Sequence, residues 1–128
     1  MRRMHPTTTL RLCALLGGIA VGLGAFAAHG MKDHFDPTQL QTFETGVRYQ
    51  MYHALALFGC GLLGRLGVRT GLAAWLFLVG IVLFSGSLYA LVWTGVKVLG
   101  AVTPFGGVAL LAGWLTLAVT GARPPERP

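Results

Sequence analysis

Four apolar runs, at residues 12–28, 51–66, 71–93 and 99–120, carry no charge except near their ends. This pattern constrains the fold more than any motif, because backbone inside a bilayer must satisfy its own hydrogen bonds and a single segment does so only as a helix. The shortest run, 12–28, rises about 25 Å as a helix, below the roughly 30 Å hydrocarbon core but within the range of a span. The chain is therefore read as all-α, an integral membrane four-helix bundle with a short amphipathic helix at about 37–50 between spans one and two. Composition separates the two candidate solvents: 11% of residues are charged, against about 25% in soluble domains. The net charge of +6 does not point to nucleic acid. A nucleic-acid surface clusters its cations on one exposed face, whereas these arginines flank apolar runs, so the lipid bilayer is the expected partner.

Residues 1–11 are a basic extension, read as cytoplasmic, with a helix starting near Thr9. A basic start, an apolar middle and Ala25-Phe26-Ala27 also describe a cleavable signal peptide. The run is long for that role, and Gly18 and Gly22 form a GxxxG face suited to close helix packing, so the first span is expected to stay. In the polar region that follows, Asp36-Pro37-Thr38-Gln39 supplies a helix start with a capping box and proline at the first helical position. Leu40, Phe43, Val47 and Met51 then recur at three- and four-residue steps, giving the amphipathic helix its apolar face. Glu44 precedes Arg48 by four, the favourable order for a helical ion pair.

Gly59, Gly61 and Gly64 match GxGxxG, but the fingerprint needs a preceding strand and an acidic residue about 20 positions on, where this chain is apolar. They read instead as helix-packing glycines. Cys13 and Cys60 lie inside apolar runs without metal-ligand spacing and read as buried small residues. Thr103-Pro104 falls near the start of span four, where a missing N–H costs little. Residues 121–128 form a polar tail. With both termini on one side, Arg2, Arg3, Arg11, Arg65, Arg69, Arg123 and Arg127 fall on that side, against Lys32, Arg48 and Lys97 on the other. Seven against three places both termini in the cytoplasm.

Four strings resemble one family: GAFAAHG at 24–30, FETGVRYQMYHALAL at 43–57, FSGSLY at 84–89 and TPFGG at 103–107. The chain resembles the small bacterial membrane proteins of domain of unknown function 423, which are similar to animal transmembrane protein 256. Ala27 stands where that family usually has glycine. The resemblance implies four helices in the inner membrane and a retained first span, and it implies no activity.

The topology gathers His29, Glu44, Arg48, Tyr49, Gln50, His53, Ser85, Ser87, Tyr89 and Thr103 toward the outer half of the bundle. Polar groups at that depth pair with one another or hold a polar ligand. His29, Glu44 and His53 are weak candidate metal ligands, since their spacing matches no metal motif. No cofactor is expected, and no nucleophile elbow, HExxH or paired carboxylates suggest catalysis. The leading expectation is a non-enzymatic membrane protein that packs or assembles with itself or with other membrane proteins. The alternative is a small transporter or binding protein with a polar ligand or ion site in the outer half, working as a dimer if it transports.

Overall fold

A computed structural model describes residues 3–125, so Arg2, Arg127 and the last three residues of the tail lie outside the described residues. Four helices follow in order: α1 (Pro6–His29), α2 (Pro37–Arg65), α3 (Gly71–Thr94) and α4 (Leu99–Gly121). The described residues contain no strand. Helix α1 begins earlier than expected because His5 caps it, Nδ1 accepting from the Thr7 N–H at 3.3 Å, with Pro6 in the first turn. At the start of α2 the Asp36 carboxylate accepts from the Gln39 N–H at 2.8 Å, and Gln39 accepts from the Asp36 N–H at 3.0 Å, the reciprocal box read in the sequence.

The amphipathic stretch 37–50 and span 51–66 form one unbroken helix. Nothing between Thr38 and Gly64 breaks helical hydrogen bonding, so the change from polar to apolar composition marks a change of surroundings, not an end. Among the described residues, α1, α3 and α4 are long and apolar enough to cross a membrane by length and composition; α2 is the fourth rod, polar in its first half. Each helix packs on its neighbours in sequence, α1 on α2, α2 on α3 and α3 on α4. Ends meet accordingly: Pro6 lies against Gly64, and Arg3 against Gly71.

Two apolar clusters fill the interior. Cys60, Leu57, Ala73, Phe77, Ile81 and Leu110 pack toward the end with both termini, and Ala27, Met31, Phe43 and Val92 toward the other. Large apolar residues such as Leu15, Val82, Phe105, Leu111 and Leu115 face outward, as lipid contact requires. Helix α1 belongs to this interior: Ala20 and Ala27 are buried, and Leu10 packs on Gly61. Both cysteines are buried and free, with the Cys13 thiol donating to the Leu10 carbonyl.

The packing glycines divide. A Cβ at Gly61 would lie 2.6 Å from the Leu10 side chain and one at Gly64 3.0 Å from Pro6, so both sit in the α1–α2 contact. Gly18, Gly22 and Gly59 have nothing within 4 Å and take no part in packing within the chain. The closest approach is between α3 and α4. There a Cβ on Gly106 would run into the Phe84 backbone, and one on Gly113 would lie 2.7 Å from the Phe77 ring. Pro104 is also deeper than expected, inside α4 rather than in its first turn, so the Gly100 carbonyl loses its helical donor.

Gly106→Ala is expected to destabilise the bundle by about 1–3 kcal/mol or more, because backbone cannot rotate away as a side chain can. Gly86→Ala, at a glycine with nothing within 4 Å, should be neutral or stabilising by up to about 1 kcal/mol through helix propensity. Denaturant unfolding in mixed micelles measures both, and equal effects would contradict the packing described.

Candidate functional site

Between the two apolar clusters lies a polar layer. Gln50, 3% exposed, is its centre. Its Nε2 donates to the Leu16 carbonyl of α1 at 2.8 Å, and its Oε1 accepts from the Tyr89 hydroxyl of α3 at 2.8 Å. One turn earlier, the Ser85 hydroxyl donates to the Gly46 carbonyl at 2.6 Å. Gly46 is required there, since a Cβ would lie 2.7 Å from the Tyr89 ring. That ring stacks in turn on Phe43, centroids 4.9 Å apart.

His53 sits a turn deeper, 5% exposed. The Trp114 indole N–H donates to its Nε2 at 3.0 Å, and its Nδ1 lies 2.7 Å from the Tyr49 carbonyl. An indole N–H can only donate, so Nε2 is the acceptor and Nδ1 carries the proton. This fixes a neutral imidazole with both nitrogens engaged and no lone pair left for a metal. On the α3–α4 side the Ser87 and Thr103 hydroxyls lie 2.6 Å apart, with the Phe84 carbonyl 2.9 Å from Ser87 and the Leu99 carbonyl 3.5 Å from Thr103, so either hydroxyl can donate to the other.

Gln50, His53, Ser85 and Tyr89 are thus brought into the interior, and Ser87 and Thr103 pair beside them. Tyr49 is 40% exposed and stacks on Phe84, centroids 4.6 Å apart. His29 is exposed at the end of α1. Glu44 and Arg48 do pair, at 3.9 Å, but on an outward face with both side chains about half exposed, so they do not cap the layer. The common site around both histidines is not formed, and the described residues hold no group of three or more candidate metal ligands. The cause lies in α2. Helical without a break through Gly46, it turns Gln50 and His53 inward and Glu44 and Arg48 outward, while its length carries His53 down to the level of Phe77 (ring centroids 5.6 Å apart).

The sequence reading missed Trp114 and Gly46. A tryptophan in the middle of an apolar helix, away from any interface, was the available signal, because its N–H needs a partner in hydrocarbon. Beside the His53–Trp114 pair, a cleft of about 440 Å³ opens between α2 and α4, with Tyr49, Phe84, Pro104 and Gly107 in its wall.

The family described as "Protein of unknown function (DUF423)" matches residues 23–107. The chain belongs to this family. It is 47% identical over 109 residues to a UPF0382 membrane protein of Staphylococcus epidermidis, covering 84% of this chain and 89% of the relative. It is 46% identical over 123 residues to the UPF0382 membrane protein YwdK of Bacillus subtilis, covering 89% and 98%. A UPF0382 membrane protein of Haemophilus influenzae is 42% identical over 112 residues, covering 85% and 89%. No solved structure matches the chain. The stretch matching DUF423 contains Gly46, Gln50, His53, Ser85 and Tyr89, and it leaves out Leu16 and Trp114.

Gln50→Met removes the acceptor of the Tyr89 hydroxyl and the donor to the Leu16 carbonyl, and is expected to cost about 0.6–2 kcal/mol. Tyr89→Phe in that background should add less than it does alone, since the bond it removes is already gone. A double-mutant cycle on unfolding in micelles reads this, and strict additivity would show that the Gln50–Tyr89 bond carries no weight.

Proposed function

We propose that this member of the DUF423 family is a non-enzymatic protein of the bacterial inner membrane that works by assembling with itself or with other membrane proteins. Both termini are cytoplasmic in this reading, and no cofactor is needed. The observation that carries it is the outward position of Gly18 and Gly22, which have nothing within 4 Å. Without a hydrophobic driving force in lipid, helices associate where small residues let backbones approach, and this face is unused within the chain.

One observation favours a second reading, binding of a membrane-soluble small molecule: the cleft beside His53 and Trp114, whose walls are aromatic and apolar. Gly107→Leu would fill it. Loss of a small molecule that co-purifies with the natural chain would support this reading.

Gly18→Leu and Gly22→Leu test assembly from positions where an added Cβ meets nothing within 4 Å in the chain. The expected result is a shift from oligomer or hetero-complex to monomer in native-membrane crosslinking, with unchanged thermal stability of the extracted protein. A natural chain that is solitary in the membrane would end the proposal. Orientation is read separately. Fluorescent protein fused after Pro128 should fluoresce, and alkaline phosphatase fused there should be inactive.

A further inference from the structure

Helix α4 packs along α3, and its Trp114 indole reaches across to His53 of α2. Toward the loop end from that bridge, α2 and α4 part around the cleft of about 440 Å³. Its α4 wall is open to lipid, with Trp114 46% and Leu111 66% exposed. We propose, resting on the reading of this cleft as a small-molecule site, that it binds a neutral ring compound with a carbonyl on the ring edge, the chemistry of a membrane quinone.

Rings supply the walls. Tyr49 of α2 lies against Phe84 of α3, with centroids 4.6 Å apart, and nearly parallel to His53, with 17° between the planes. Trp114 meets His53 edge-on, and its N–H bond to Nε2 holds the indole in that position. Helix α4 adds Pro104 and Gly107 to the lining. A Cβ at Gly107 would come within 3.9 Å of the Phe84 ring, so glycine keeps the slot open where a larger side chain would close it. An acyl chain gains little here that surrounding lipid does not already give it. A flat ring gains from stacking on aromatic walls.

Depth makes the Tyr49 hydroxyl the deciding group. Its ring is level with Phe84, which stands ten residues before Thr94, the last of α3, about 15 Å of helix below the loop end. Gly107 on the facing wall stands eight residues past Leu99, the first of α4, about 12 Å below the same end. Unlike the Tyr89 hydroxyl, which is bound to Gln50, the Tyr49 hydroxyl makes no hydrogen bond among the described residues. In hydrocarbon that donor is costly without an acceptor, and no bulk water reaches it to provide one.

The other side-chain donors of the lining are spent. The Trp114 N–H goes to His53, and the His53 proton goes to the Tyr49 carbonyl. The remaining lining residues, such as Phe84, Val108 and Leu111, have apolar side chains. One donor is therefore on offer, and the group that matches it is an acceptor. No charged side chain lines the cleft, so a carboxylate or phosphate would enter without counter-charge. An alcohol would bring a proton that itself needs a partner, whereas a ring carbonyl only accepts. A quinone meets these conditions together: it is flat, uncharged and apolar over both faces, its carbonyls lie at the ring edge, and its isoprenoid tail can leave through the open side into lipid.

The test uses the full chain purified in mild detergent and titrated with two probes, a benzoquinone carrying one prenyl group and the prenylbenzene of the same skeleton without carbonyls. Bound probe is counted by native mass spectrometry. The natural chain should bind one quinone, roughly fivefold more tightly than the hydrocarbon, the factor that one neutral hydrogen bond supplies. Tyr49→Phe keeps the ring and should bring the quinone down to the affinity of the hydrocarbon, with the affinity for the hydrocarbon and the ligand-free melting temperature unchanged. Gly107→Leu should abolish binding of both probes, and undiminished binding in it would place the ligand elsewhere and overturn the proposal. Equal affinity of the natural chain for the two probes, or a Tyr49→Phe effect that is nil or the same on both, overturns the carbonyl assignment while leaving the cleft a site for apolar molecules. Saturable binding of neither probe overturns this proposal and the small-molecule reading with it.

Discussion

In hydrocarbon the Gln50 amide has no water to turn to, and this requirement organises the middle of the bundle. Its two ends bond two different helices, the Leu16 carbonyl of α1 and the Tyr89 hydroxyl of α3. A rotation of α2 by even part of a turn would break both bonds, and a slide along the axis would also separate Ser85 from the Gly46 carbonyl. Apolar side chains above and below tolerate many arrangements of nearly equal energy, because lipid tails solvate them as well as a neighbouring helix does. The polar layer therefore sets rotation and register, and the two apolar clusters fill in around that choice.

Close packing supplies what hydrogen bonds cannot. Between α3 and α4 the Ser87–Thr103 pair is a direct side-chain bond. Their contact rests on Gly80, Gly106 and Gly113, each of which admits a side chain or backbone from the other helix where a Cβ would collide. Dispersion falls off steeply with distance, so the gain from backbone contact is lost once a methyl group intervenes. Gly46 joins the two devices, since its missing side chain admits the Tyr89 ring and its carbonyl receives the Ser85 proton.

Much of this was legible in the residues. The capping box at Asp36 and Gln39 and the bounds of α3 and α4 follow from local chemistry that tertiary structure had no reason to override. The continuity of α2 was less visible because polarity was read as a boundary. Its first half is polar on the face carrying Gln41, Glu44 and Arg48, while Phe43 and Gly46 are buried, so one rod changes surroundings along its length without changing conformation. Glycine spacing likewise tells that a face is small, and not which neighbour meets it. Gly18 and Gly22 have the more recognisable motif and no neighbour, whereas Gly106 lies in an undistinguished pair and has the tightest contact of all. Depth was legible for Ser85 and Tyr89, but for His29 the same argument failed, because nearness to the helix end let the ring turn out to solvent.

The two ends of the bundle solve the problem of charge differently, and antiparallel packing makes that difference matter. Helix dipoles in consecutive antiparallel pairs largely cancel, so the field from end to end is set by side chains. At the loop end the ionisable groups meet within the chain: Asp36 is bound to the Gln39 N–H and Glu44 lies beside Arg48. At the terminal end the described residues offer arginines and no carboxylate, leaving positive charge to be met by the tail or by the membrane surface. In the proposed orientation that surface is the anionic cytoplasmic leaflet, which attracts basic residues within about a Debye length.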